Sequence, residues 1–127
     1  MNGNDILLDT NILLFFLNGD KEVRKFFFDY NPVISFITEL EILSSPELSE
    51  NDKLNIQHLL SEVAVLNYSD KYKKAILDIR SAKRLKLPDA IIAATAIASG
   101  MPLVSADKGL KNIPNLNTVF YSVPDNE

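Results

Sequence analysis

The stretch DILLDTNILLFFLNGD, residues 5–20, sets an aspartate, a threonine and an asparagine inside an otherwise apolar run. A carboxylate taken out of water is costly unless something pairs with it, so the break at Asp9 needs a cause. Ile6 to Leu8 is short and apolar and ends on Asp9, the pattern of a buried strand. Asp9, Thr10 or Asn11 can cap a helix, which is expected to run through Leu17 and stop at Asn18-Gly19-Asp20. A strand feeding a helix across an acidic junction is the start of an α/β fold.

Outward from this unit the chain keeps alternating. Val23, Phe26, Phe27 and Tyr30 fall at i, i+3, i+4 and i+7, an amphipathic helix ended by Pro32. The FFF at 26–28 therefore belongs to the core or an interface rather than to base stacking. Val33 to Phe36 reads as a second strand, followed by a helix across Thr38 to Ser44. Beyond Ser44-Ser45-Pro46, Ile56, Leu59, Leu60 and Val63 mark another helix, and Val63 to Leu66 a third strand. His58 lies off that helix's apolar stripe and is read as a surface residue. Tyr72, Ala75, Ile76 and Ile79 mark a helix with a basic outer face. Pro88 suits the first turn of a helix ending at Ser99 and closed by Gly100. Its core, DAIIAATAIA, is apolar nearly all round, so that helix is buried and closely packed. Leu103 to Ser105 and Val119 to Tyr121 supply the last strands. The expected architecture is a three-layer α/β/α sandwich around a mostly parallel sheet. Without repeats or a linker, residues 1–127 form a single domain.

Composition narrows the chemistry. The 127 residues are 46% hydrophobic, enough for one core. With no cysteine, disulfides, thiolate catalysis and thiolate metal sites are excluded, and a reducing cytoplasm is the natural location. One histidine excludes multi-histidine metal sites. The net charge of −4 argues against coating nucleic acid by bulk charge. Seven of the 13 basic residues nevertheless fall between Lys71 and Lys86, opposed there only by Asp78. Ile6 to Leu17 lacks a basic leader and a small-residue cleavage site and is too short to span a bilayer, so it reads as core.

Four acids stand out by position. Asp9 follows the first strand and Asp107 follows LVSA, and ligands in open α/β sheets bind beyond strand carboxyl ends. Asp89 lies in the first turn of the buried helix, and Glu39 or Glu41 just beyond the second strand. Each has a plain alternative. Asp9 can be a cap, Asp89 a complement to the helix dipole, and Asp107 a turn residue in ADKG with Gly109 supplying positive φ. Gathered at one end of the fold, however, they would repel unless neutralised. A divalent cation does this most simply, and oxygen-only ligands suit Mg2+ or Mn2+. Residues two apart on a helix face nearly opposite ways; Glu41 shares a face with Ile37 and Leu40, so it is expected inward and Glu39 toward solvent.

These residues resemble the PIN-domain ribonucleases, most closely the VapC-type toxins of toxin–antitoxin pairs. LLDTNILLFFLNGD is similar to the family's first acidic motif, and ISFITELEIL to the second, with Glu41 on the acidic position. LPDAIIAATAIASGMPLVSADKGL resembles the segment with the last two acids, Asp89 and Asp107. Ser105 stands where threonine is common, and DKGL replaces an aromatic-ending turn, leaving Leu110 for packing. The resemblance implies hydrolysis of RNA phosphodiesters with Mg2+ or Mn2+ held by Asp9, Asp89 and Asp107, as one ion or two. Glu41 would bind metal through water or position the attacking water. Thr10, Asn11 and Ser105 would support the ligands, with Asn11 orienting Asp9 or a ligand water. Arg80, Lys83 and Arg84 become candidates for phosphate contacts, with a solvated helix face as the alternative. A homodimer and a cognate antitoxin that occupies the acidic site are the implied partners.

Two other classes compete. A PIN-fold module that binds RNA or protein without cleaving has no need of clustered acids. A small-molecule phosphatase would show a second aspartate where Asn11 stands, or a phosphate-cradling glycine loop, and four glycines leave none.

Overall fold

The computed structural model describes residues 4–46 and 48–122. In chain order the elements are β1 (Asp5–Leu8), α1 (Thr10–Leu17), α2 (Lys21–Asp29), β2 (Asn31–Ser35), α3 (Phe36–Leu43) and α4 (Glu50–Glu62). Then come β3 (Ala64–Leu66), α5 (Lys73–Lys83), α6 (Leu87–Ser99), β4 (Leu103–Ser105) and β5 (Thr118–Phe120). Single 3-10 turns cover Asp70–Tyr72 and Lys108–Leu110. No helix among the described residues is long and apolar enough to cross a membrane.

Period-two alternation along the central strands creates the layers. Ile6 and Leu8 of β1, Ile34 of β2 and Val104 of β4 join one core with Ile12, Val23, Ile42 and Ile56 from α1 to α4. Leu7, Val33 and Leu103 point the other way, onto Ile92, Ala93 and Ala96 of α6. Runs of apolar residues without polar interruption are what a strand buried on both faces requires. The sheet has the order β3-β2-β1-β4-β5, and all its pairings are parallel. From β1 the chain steps outward to β2 and β3, then returns across the sheet to β4 and β5. A right-handed crossover places its helix on opposite faces for opposite directions, which accounts for α1–α4 lying on one side and α5–α6 on the other. The direction reverses between β1 and β4, and there the crevice beyond the strands opens.

Capping explains where elements begin. Ser35 accepts a hydrogen bond from the Ile37 amide at 3.2 Å, so α3 starts at Phe36, earlier than the expected Thr38. Pro32 lies within the opening of β2, opposite Ile6, instead of serving only as a stop for α2. A proline is tolerated near a strand's beginning because little of the ladder depends on its missing N–H. Gly100 closes α6 at φ +69°, a conformation that favours glycine. Phe26 and Phe27 pack on the core, while Phe28 is 88% exposed. His58 is exposed and pairs with Glu62 at 3.3 Å.

A tie between distant segments fixes the β5 edge. Tyr121 Oη donates to Asp20 Oδ2 at 2.5 Å, and Asp20 also accepts from the amides of Glu22 and Val23 at the start of α2. The tyrosine hydroxyl, chiefly, holds the Asp20 carboxyl below its ordinary range. Burial and the adjacent carboxylate push Tyr121 up to about 12. The lowered acid stabilises the fold above the ordinary 3.8 and loses that contribution as pH falls through its folded value. The raised phenol contributes below 10.0 and loses its share as pH rises through about 12. Tyr121→Phe should therefore lower stability by about 1 kcal/mol at neutral pH, read from urea unfolding. The difference from wild type should shrink in acid; a difference independent of pH would mean that the hydroxyl does not act on the Asp20 carboxylate.

Candidate active site

Asp9 is the hinge of the site because it ends β1 and caps α1 at once. Its Oδ1 accepts from the Ile12 amide at 3.0 Å, and its Oδ2 accepts a very short hydrogen bond from Ser105 Oγ at the end of β4. The same serine oxygen accepts from the Asp107 amide at 3.0 Å. Asp107 in turn takes the Gly109 amide at 2.8 Å. One hydroxyl thus locks the acid after β1 to the acid after β4, across the reversal point of the sheet. Asp9 is only 5% exposed and Ser105 fully buried, so the pairing stands in a low-dielectric setting.

Two more acids arrive from helices. Asp89 lies in the first turn of α6 beside Pro88. Glu41 comes from α3, where its Oε1 accepts from Thr10 Oγ1 at 2.6 Å. Asp9, Thr10, Asn11, Glu41, Asp89, Ile92 and Asp107 line one cleft of about 130 Å³. Larger hollows exist, including one of about 300 Å³ over Ala75, Ile79 and Ile97, but none gathers a comparable set of acids.

The charges in the cleft are poorly compensated. Burial chiefly, with Asp107 and Asp89 adding to it, raises the Asp9 carboxyl against the lowering effect of its two hydrogen bonds. Burial also raises Asp89, reinforced by Asp107 and Glu41 and opposed only by Lys86. A donor set of carboxylate, hydroxyl and amide oxygens with excess negative charge fits a hard divalent cation. As they stand, no three His, Cys, Asp or Glu side chains among the described residues converge into a closed metal site. Hydrogen bonds engage both oxygens of Asp9 and one oxygen each of Glu41 and Asp107.

Several expectations need adjusting. Glu41 lies in the cleft but is exposed, and Leu40, expected inward beside it, is 54% exposed. Glu39, expected in solvent, is half-buried. The short helix α3 runs along the rim of the crevice, so facing the site and facing the core are different directions there. Asn11 lines the cleft, yet no side-chain hydrogen bond joins it to Asp9; Ser105 does that orienting instead. Gly109 does not adopt positive φ. Its role is to present an amide to Asp107, where an added Cβ would sit 3.2 Å from that carboxylate oxygen. Thr38 is a supporting residue that sequence patterning missed: fully buried, it hydrogen-bonds Thr10 Oγ1 at 3.2 Å. Its place three residues before Glu41, on the same side of the helix, was the available signal. Arg80, Lys83 and Arg84 are exposed at the end of α5 and do not line the cleft.

Known structures share this architecture. A toxin–antitoxin complex from Klebsiella pneumoniae contains a chain 28% identical, with TM-score 0.79, covering 93% of this chain and 99% of that one. DNA-bound VapBC from Salmonella typhimurium gives 23% identity and TM-score 0.80 over 91% and 97% of the two chains. VapBC2 from Rickettsia felis, bound to a promoter DNA fragment, gives 22% and 0.79 over 92% and 98%. Comparison with curated proteins finds no match. The family model described as the PIN domain matches residues 6–116, nearly the whole described fold and all four acids of the cleft, and the chain belongs to that family.

Proposed function

We propose that this chain is a VapC-type toxin, an endoribonuclease that hydrolyses RNA phosphodiester bonds with Mg2+ or Mn2+. The observation that carries the reading is the convergence of Asp9, Glu41, Asp89 and Asp107, from four separate elements, on one cleft at the reversal point of a parallel sheet. Its likeness to a chain of the Klebsiella toxin–antitoxin complex supports a cognate antitoxin as partner; a cytoplasmic location and a homodimer are part of the same proposal.

Asp9, Asp89 and Asp107 would hold the cation, with Glu41 at the rim. When bound, the cation supplies an acidified water and neutralises charge developing on the phosphoryl oxygens. Ser105 keeps Asp9 Oδ2 from turning away, and its link to the Asp107 amide holds the two acids in step. Thr10 fixes Glu41 through Oε1, which leaves Oε2 to position the attacking water. Ile92 closes the apolar floor of the cleft. No side chain in the cleft is a serine, lysine or histidine poised as a protein nucleophile.

Purified protein should cleave structured RNA with either cation and stop when chelator is added. Cleavage that persists undiminished in chelator would overturn the metal-dependent reading. Glu41→Gln keeps an acceptor for Thr10 but removes the charge, and should lower kcat roughly 10- to 100-fold. Glu39→Gln should change it by no more than about a factor of two, the scale of a substitution outside the site. Equal losses in the two variants would reassign the acidic position.

A further inference from the structure

A chain of net charge −4 whose cleft carries four carboxylates still has to hold a polyanion. Resting on the nuclease reading of that cleft, we propose that the junction between α5 and α6, formed by Arg80, Lys83, Arg84 and Lys86, is the surface that grips the RNA phosphate backbone beside it. Lys71, Lys73 and Lys74, although part of the same basic run, take no part.

The antiparallel helical hairpin separates these two groups. Only Arg84, Leu85 and Lys86 join α5 to α6, and the helices pack through Ile76, Ile79, Leu85, Ala90 and Ala94. At the far end Tyr72 Oη meets Ser99 Oγ at 3.5 Å, pinning the start of α5 to the end of α6. The last turn of α5 therefore lies beside the first turn of α6, which bears Asp89. Lys71, Lys73 and Lys74 are left at the opposite end of the hairpin.

Pairing also distinguishes Lys71 and Lys74, while Lys73 is set apart by its position alone. Lys74 is 3.3 Å from Asp78, and Lys71 stands 5.1 Å from the ring of Tyr72. Arg80, Lys83, Arg84 and Lys86 are exposed and form no ion pair among the described residues. Lys86 acts electrostatically on Asp89 of the cleft, and the exposed cations at the same end of the hairpin are placed to neutralise a ligand's phosphates, which the acids alone would repel.

Arg84 carries the sharpest evidence. It caps α5 at φ 53° and ψ 34°, its amide donating to Arg80 O at 3.0 Å. A left-handed helix terminus favours glycine, and an L side chain there costs about 1–2 kcal/mol. The helix dipole at this end returns only about 0.3–1 kcal/mol to a cation, less than that cost, and a phosphate-binding surface accounts for the remainder.

The test uses the full-length protein in chelator and a mixed-sequence single-stranded RNA oligonucleotide, with affinity measured as a function of salt. Each phosphate contact contributes about 0.7 to the slope of log affinity against log salt for single strands. The combined variant Arg80→Ala, Lys83→Ala, Arg84→Gly, Lys86→Ala should lose roughly 2–3 from that slope and bind about 100- to 1000-fold more weakly at 0.1 M salt. Arg84→Gly alone should weaken binding while its melting temperature stays level or rises, which separates lost contact from lost fold. Lys71→Ala, Lys73→Ala, Lys74→Ala should leave the slope unchanged. An unchanged slope in the first variant, or an equal loss in the second, overturns the proposal. If wild type binds with this map yet cleaves nothing, the nuclease reading fails and the surface stands; if the first variant cleaves with wild-type KM, the surface fails and the nuclease reading stands.

Discussion

Asp9→Asn should reduce RNA cleavage by at least about 100-fold while the fold survives. Asparagine is as good a helix cap as aspartate, so the Ile12 amide keeps its acceptor. Toward Ser105 the new amide presents a donor where a carboxylate oxygen stood, and the serine can accept in place of donating. The structural roles of Asp9 are therefore largely preserved. What disappears is its charge, the most deeply buried of the four and the one linked through Ser105 to Asp107. A cation held by the remaining acids would lose a ligand and its tether to β1. The metal-free protein should respond in the opposite sense. Burial and the neighbouring Asp107 and Asp89 make ionised Asp9 unfavourable, so its neutral replacement should raise the melting temperature in chelator. Circular dichroism, calorimetry and a cleavage assay together decide the matter. Activity within tenfold of wild type would remove Asp9 from the site, and a lower melting temperature would make it mainly a structural cap.

The opening stretch shows why so much of this site was legible. Short apolar runs followed closely by an acid mark both a strand and the acid placed at its carboxyl end, and β1 and β4 each follow that pattern. Pro88 and Gly100 likewise bracket α6 by backbone preferences that act locally. Legibility fails where geometry depends on contacts distant in sequence. Ser105 reaches Asp9 across 96 positions, and Tyr121 reaches Asp20 across 101. Thr38 meets Thr10 because α3 packs against α1; its spacing to Glu41 hints at a role, but nothing in either helix names that partner. Glu41 exposes a different weakness: a helical wheel orders residues around an axis but does not say where the core and the cleft lie. On an eight-residue helix at the rim, half-buried Glu39 and exposed Glu41 reverse the order that the wheel suggested. Gly109 misleads similarly, since a glycine after a turn suggests positive φ, whereas here it clears space beside Asp107.

Leu7→Ala should produce the largest loss of stability, about 2–5 kcal/mol. Leu7 sits on the central strand, paired with Val33 of β2 and Leu103 of β4, and it is fully buried. Its side chain enters the core beneath α6, among Ile92, Ala93 and Ala96. Ala93 and Ala96 hold that helix close to the sheet, and the long side chains beside Leu7 (Ile92 and Leu103) are already tightly buried. The cavity should therefore persist, which places the cost in the upper part of the range. Against a total stability of about 5–15 kcal/mol for a domain of this kind, that loss is a large fraction. Leu54→Ala, at a position 63% exposed, supplies the contrast and should change stability by no more than about 0.5 kcal/mol. Urea unfolding of both variants at one temperature measures the difference. Ile92 links this core to the cleft floor, so Leu7→Ala should also loosen the acidic site, and cleavage should fall before the protein unfolds. A Leu7→Ala loss no larger than that of Leu54→Ala would mean that β1 does not anchor the sheet.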